Sequence, residues 1–252
     1  MSSIHFFENN RRVDLHSFRS LCNAMKALAI EVAIKSSKKC LMTICDIGCG
    51  KGGDIGKFMS HRPKLIIGID GSQKNILEAT ERHKNMVSGG RGITRAIFHV
   101  QDLCDTTKPL NIKSHSVDFI CTNFFLHFAA TTEDTLLHLL LEFKRVIATN
   151  GILLIIIPDG DRVYSLLSKN QVVSFGHFQL YKESELEPKP YGLQYRFALR
   201  GAGCVENILF PSLLEDNLRN LGFQPVMENM SESAQSFLTK HGPYSDKIGR
   251  AH

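Results

Sequence analysis

The chain has 252 residues, 43% hydrophobic and 22% charged, which suits one globular domain with a sizeable core. Its 30 lysines and arginines against 25 acids give a formal +5, compatible with an anionic partner without requiring one. Seven scattered cysteines with no CxxC pair speak against a disulfide scaffold or structural zinc. The opening MSSIHFFENNRRVD is not of signal-peptide type and the longest apolar run, Ile152 to Ile157, is too short for a bilayer, so an intracellular protein without a membrane partner is expected.

In chain order, a helix comes first. Leu15, Phe18, Cys22, Met25, Ala29 and Val32 follow 3–4 spacing as an apolar stripe, and Arg19, Asn23 and Lys26 share another face. Buried strands are predicted at 41–46, 65–70, 96–100, 117–121 and 151–157, with helices near 54–60, 73–86, 133–147 and 160–168 between them. Such alternation predicts an α/β fold, a mostly parallel central sheet flanked by helices. After residue 170 the pattern changes. Residues 171–181 and 191–199 read as aromatic-rich antiparallel strands, and 206–210 as another. Pro211 opens a helix to about Leu221, Gly222 ends it, 223–228 reads as a weak strand, and a last helix is expected through 232–240. The whole of 1–252 reads as a single domain with an insertion at about 171–210.

The strongest motif directly follows the first strand: Asp46-Ile47-Gly48-Cys49-Gly50-Lys51-Gly52-Gly53-Asp54. Glycines there let the backbone pass close to a ligand, and the next helix offers free N–H groups. The run GCGKGG fits the GxGxxG spacing of dinucleotide enzymes too, so the loop alone does not decide. The acids add to it. Asp70 ends the second strand and suits a ribose diol; Asp102 follows the third and suits the adenine amine. Acids after three successive strands suit S-adenosylmethionine, a sulfonium cation with no phosphate to repel, better than they suit helix capping.

The extended run D-I-G-C-G-K-G-G-D resembles the signature of mRNA cap (guanine-N7) methyltransferases of eukaryotes and large DNA viruses. Other segments agree in order: F-R-S-L-C-N-A-M-K with the family's upstream helix, T-N-F-F-L-H-F with its fourth-strand segment, I-I-P-D-G after the fifth strand, then Y-G-L-Q-Y-R-F-A-L and V-E-N-I-L-F in the insertion. The resemblance implies a Rossmann-like class I methyltransferase fold. It implies methyl transfer from S-adenosylmethionine to guanine N7 of a 5′ GpppN cap, with capped RNA as partner, in nucleus or cytoplasm. It also leaves room for other capping-enzyme domains or an activating subunit.

Residue by residue, the resemblance implies that Lys26 contacts the methionyl carboxylate beside Gly48 and Gly50. Asp46 and Asp54 would hold the amino-acid end and the loop, Asp70 the ribose and Asp102 the adenine. Asn123 stands where the family usually has Gln, and Phe128, where it has Tyr, lines the cofactor pocket or stacks on the cap. On the cap side it implies Asn23, Lys51 toward the triphosphate or the guanine nucleotide, and His127 and Glu206 on the guanine edge. No acid or base is expected, because guanine N7 has a lone pair and no proton to lose.

Two departures stand out. Cys22 occupies a position where the family often has Asn, and HGPYSDKIGRAH after residue 240 has no strand pattern, so either the strand that closes this fold is absent, or the sequence is truncated or part of a longer protein. Competing readings are a small-molecule or other RNA methyltransferase, and an inactive module of the same fold that only binds.

Overall fold

The computed structural model describes residues 15–37, 42–90, 92–176, 178–187, 189–199 and 202–226. Helix α1 (Leu15–Ser36) precedes β1 (Thr43–Ile47), α2 (Ile55–Met59), β2 (Leu65–Asp70), α3 (Gln73–Ser88), β3 (Arg95–Val100) and β4 (Val117–Asn123). A 3-10 turn (Leu126–Ala129), α4 (Glu133–Val146), β5 (Ile147–Ile156) and α5 (Gly160–Lys169) follow. Then come β6 (Val172–Phe175), β7 (Phe178–Lys182), β8 (Gln194–Leu199), β9 (Ala202–Asn207) and α6 (Pro211–Asn220).

The central sheet runs β3-β2-β1-β4-β5, and every pairing in it is parallel. Parallel strands covered on both faces need apolar residues throughout. Accordingly Ile44, Cys45 and Ile47 of β1 and Ile66, Ile67 and Ile69 of β2 are all buried. One face packs against α4 through Leu136, Leu139, Leu140 and Phe143, the other against α1 and α2 through Ile30, Phe58 and Met59. The chain leaves β1 toward β2 and β3 on one side and returns through β4 and β5 on the other. The strand order therefore reverses between β1 and β4, and a crevice opens beyond their carboxyl ends. The antiparallel sheet β6-β7-β8-β9 is fixed by its own small core of Leu180, Leu193 and Tyr195 with Val163 and Leu167 of α5.

Local chemistry sets the boundaries. Ser72 and Thr132 cap α3 and α4 by accepting from Asn75 N and Thr135 N, Pro211 sits in the first turn of α6, and Gly222, at φ 82, follows its end.

Several expectations need correction. The stripe of α1 is rotated: Ala29, Ile30 and Ala33 are buried, while Met25 is 51% exposed. The side chains of Leu15 and Phe18 lie outside the description. The expected strand at 171–181 is a hairpin, β6 and β7, because Gly176 at φ 63 begins a reversal that a strand could not absorb. Strand β5 starts at Ile147, ahead of the expected 151, since Ile147 pairs with Val117 before a register shift. The expected strand at 206–210 lies earlier, as β9, and residues 223–226 carry no strand. The rest of the weak strand, the helix through 232–240 and the closing strand fall outside the described residues.

Candidate active site

The glycine loop crosses the crevice. Gly48, Gly50 and Gly52 all take positive φ, at 68, 52 and 69. A Cβ at Gly48 would lie 2.4 Å from the Phe125 ring, whereas at Gly50 it would meet nothing within 4 Å. Gly48 is thus required for close packing, and Gly50 turns an open strip of backbone toward the crevice.

Asp54 is the hub beneath that loop. Lys26 Nζ of α1 lies 2.9 Å from its Oδ1 and 3.0 Å from its Oδ2. Lys57 Nζ of α2 lies 2.6 Å from Oδ1, and Asn123 Nδ2 at the end of β4 donates to Oδ2 at 3.0 Å. Burial would raise the Asp54 pKa, but the two ammonium groups outweigh it and hold the carboxylate below its ordinary range. Its neighbour Asp46, 3% exposed, goes the other way. Burial and the charge of Asp54 push its pKa well up, against the pull of Lys26 and Lys57. Asn123 keeps Oδ1 buried and without a hydrogen bond, as does Thr122 Oγ1 beside it.

Asp70, at the tip of β2, closes the loop from the other side. Its Oδ2 accepts from Gly50 N at 2.9 Å, and its Oδ1 from Ser72 N at 2.9 Å and Asn75 Nδ2 at 3.0 Å. A carboxylate offers roughly four acceptor positions, so Asp70 keeps room for a ligand hydroxyl. Asp102 follows β3 as an exposed residue. Its backbone lies next to Gly71, whose Cβ would come within 3.9 Å of Asp102 Cα, and its own Oδ1 accepts from Cys104 N.

A second group sits where the 3-10 turn meets β9. Tyr195 OH donates to Glu206 Oε2 at 2.5 Å and Cys204 Sγ to Oε1 at 3.2 Å. His127, 2% exposed, brings Nε2 to 3.4 Å from the same Oε2, without the alignment of a hydrogen bond, so both ring nitrogens stay buried and unpartnered. Burial would raise the Glu206 pKa; the adjacent His127 ring and the hydrogen bonds from Tyr195 and Cys204 bring it below the ordinary value. Burial, with Glu206 adjoining, raises the Tyr195 hydroxyl, and burial lifts the Cys204 thiol to about 11. Asn207 Nδ2 donates to the carbonyls of His127 and Phe128, both at 3.2 Å, fixing the turn on β9. The Phe128 ring lies 4.4 Å from that of His127, and its carbonyl receives Cys104 Sγ at 4.0 Å, tying the loop after β3 to this turn.

The predicted residues therefore fall into two groups. Lys26, Asp46, Gly48, Gly50, Asp54, Asp70 and Asn123 ring the crevice, and His127, Phe128 and Glu206 form the second group. His127 lies on the 3-10 turn, after β4. Lys51 joins neither: its Nζ pairs with Glu78 Oε2 of α3 at 3.0 Å, and it is 54% exposed. Asn23 is exposed and reaches Lys57. Lys57, Asn75, Tyr195, Cys204 and Asn207 were not anticipated. Only Lys57 left a trace, three positions after Asp54 on the same helical face.

Such a sheet, with a glycine loop and acids at successive strand tips, defines a class I methyltransferase architecture. A methyltransferase from Clostridium acetobutylicum described as S-adenosylmethionine-dependent shares this fold at TM-score 0.57, with 16% identity over 83% of this chain and 80% of that one. Residues 5–241 match the mRNA (guanine-N(7))-methyltransferase domain, and the chain belongs to that family. The mRNA cap guanine-N(7) methyltransferases of Candida glabrata and Saccharomyces cerevisiae are 28% and 25% identical over 83% and 85% of this chain. The chain spans about half the length of these relatives, 52% and 51%.

The crevice fits S-adenosylmethionine. The orphaned Asn123 Oδ1 and the spare acceptor capacity of Asp70 await a polar ligand, and the open space beside Gly50 leaves room for one.

Proposed function

We propose that this chain transfers a methyl group from S-adenosylmethionine to guanine N7 of a 5′ GpppN cap, working inside the cell on capped RNA. One observation carries the guanine reading: a largely buried carboxylate, Glu206, held by Tyr195 and Cys204 beside the His127 ring, whose two nitrogens are buried without a hydrogen bond. Guanine presents N1–H and the N2 amine as adjacent donors, which one carboxylate matches, and O6 as an acceptor for an imidazole N–H. Adenine would leave these groups unpaired, and such buried mismatches discriminate strongly.

When bound, S-adenosylmethionine supplies the electrophilic methyl group. The residues do the rest by position. Asp70 takes the ribose and Asp102 the adenine edge, while Lys26, beside Asp54, has a donor for the methionyl carboxylate. Gly48 lets Phe125 pack closely against the loop, and Phe128 walls the second group. N7 attacks with its own lone pair, so no side chain needs to move a proton; alignment is worth up to ~7–11 kcal/mol.

The test is transfer of labelled methyl to GpppG-capped, GpppA-capped and uncapped RNA, with strong preference for GpppG expected. Equal methylation of GpppA would defeat the cap reading and leave a methyltransferase. Absence of both transfer and cofactor binding would favour an inactive binding module.

A further inference from the structure

The chain between β3 and β4, residues 101–116, carries no helix or strand, so its buried backbone groups need partners from side chains. Helix α4 supplies them. His138, Glu142 and Arg145 lie at i, i+4 and i+7, on one face of that helix. Glu142, a buried residue, accepts from Leu110 N at 2.7 Å. Arg145 donates to Glu142 from Nε at 2.8 Å and from Nη2 at 2.6 Å. Its Nη2 also reaches the Leu110 carbonyl and its Nη1 the Ile112 carbonyl, both at 2.9 Å. His138 Nε2 lies 3.4 Å from the Lys108 carbonyl. Segment 108–112 is thus held to α4 by a forked cation and the carboxylate it pairs with.

Gln101 carries that anchorage to the strand tips. Its amide nitrogen donates to the Pro109 carbonyl at 2.9 Å, and its amide oxygen accepts from Asn111 N at 3.3 Å. Only this orientation satisfies both, since a carbonyl faces one end of the amide and an N–H the other. The backbone N–H of Gln101 donates to the Asp70 carbonyl at 3.1 Å, at the tip of β2. Asp102 comes next in the chain. Its Oδ1 accepts from Cys104 N at 2.9 Å, and Oδ2 has no partner among the described residues. One carboxylate oxygen is therefore fixed in a turn, and the other is open to a ligand donor. We infer that Gln101 is a positioning residue for adenine recognition. It ties the strand tip bearing Asp102 to segment 109–111, which the Glu142–Arg145 pair of α4 holds in place, and so sets where the open oxygen of Asp102 meets the 6-amine of S-adenosylmethionine. This rests on the placement of adenine at Asp102 in the reading above.

The test compares two ligands by calorimetry: S-adenosylhomocysteine and its 6-deamino analogue, in which hydrogen replaces the amine. The wild-type chain should bind the amine-bearing ligand about tenfold tighter, the worth of one hydrogen bond to a carboxylate. Asp102→Ala should bring that ratio to about one. Gln101→Leu, at a half-exposed position, keeps Asp102 but cuts the tie. It should bring the ratio to about twofold while affinity for the deamino ligand stays within about twofold of wild type. Arg145→Lys keeps a charge for Glu142 but loses the fork across the two carbonyls, and should lower the ratio in the same direction. Added to Asp102→Ala, Gln101→Leu should change neither affinity, because it acts through the missing carboxylate. A wild-type ratio in Gln101→Leu or in Arg145→Lys overturns the inference, and so does equal weakening of both ligands, which is what a purely structural brace would give. Either result with a collapsed ratio in Asp102→Ala refutes this inference alone. A wild-type ratio in Asp102→Ala refutes the adenine placement beneath it as well.

Discussion

Tyr195 and Glu206 are register partners across β8 and β9, and the tyrosine hydroxyl donates to the carboxylate at 2.5 Å. The pairing puts both side chains on one face of the sheet, so the hydroxyl holds the carboxylate ionised from within the fold. Tyr195→Phe removes that donor without changing shape. A hydrogen bond to a charged group is worth ~1.5–3 kcal/mol, so the Glu206 pKa should rise. The acid limb of kcat/KM on capped RNA should then move to higher pH, with cofactor affinity unchanged. A pH–rate profile with its acid limb unmoved would show that Tyr195 does not tune Glu206.

Asp46 is a stability cost. Burial and the adjacent Asp54 raise its pKa in the folded chain, so the folded state binds its proton more tightly than the unfolded state does. Stability from this group is therefore present below the ordinary carboxylate pKa and falls as pH rises toward the folded value. Asp46→Asn should raise Tm at pH 7.5 and lose that advantage near pH 4. Calorimetry at the two pH values checks the sign, and weaker cofactor binding by the variant would show what the cost maintains.

Asp54→Asn should act in the opposite direction. Lys26 and Lys57 are each less than a fifth exposed, and they would face each other across a neutral amide. Breaking a buried ion pair of this kind costs about 3 kcal/mol or more. Urea unfolding of the variant at pH 7 should show that loss with an unchanged m-value.

Much of this was legible because it is local or periodic. The apolar runs gave β2 at its observed bounds, and Pro211 and Gly222 bracketed α6, since φ preferences act over one or two residues. The glycine loop and its acids were legible because their spacing reflects strand tips. Partners across long separations were not. Tyr195 is an ordinary strand aromatic until β8 pairs with β9, and Asn207 an ordinary polar residue until the 3-10 turn docks on it. Lys51 was assigned by motif, but its nearest carboxylate, Glu78 on α3, depends on how that helix packs against the loop. The hairpin turn at Gly176 was hidden by the aromatic run around it.

The sharpest prediction concerns Glu206 itself. As a carboxylate held by Tyr195 and Cys204, it would, on the cap reading, accept from two adjacent guanine donors. Glu206→Gln keeps the volume but offers one acceptor and one donor. The amide oxygen can satisfy Tyr195 or one guanine N–H, and the NH2 then meets a second donor. Loss of a buried charged hydrogen-bond pair costs ~2–4 kcal/mol, so kcat/KM on GpppG-RNA should fall roughly thirtyfold to a thousandfold. Activity on GpppA-RNA, expected to be poor in the wild type, should change far less, so the ratio between the two substrates should collapse. S-adenosylhomocysteine affinity should stay near the wild-type value, because Glu206 belongs to the group at the 3-10 turn, apart from the ring around Asp54 and Asp70. Steady-state kinetics on both capped RNAs, with calorimetry on the same preparation, makes the comparison. A variant that keeps its GpppG preference would remove Glu206 from guanine recognition and leave His127 and Phe128 to account for it.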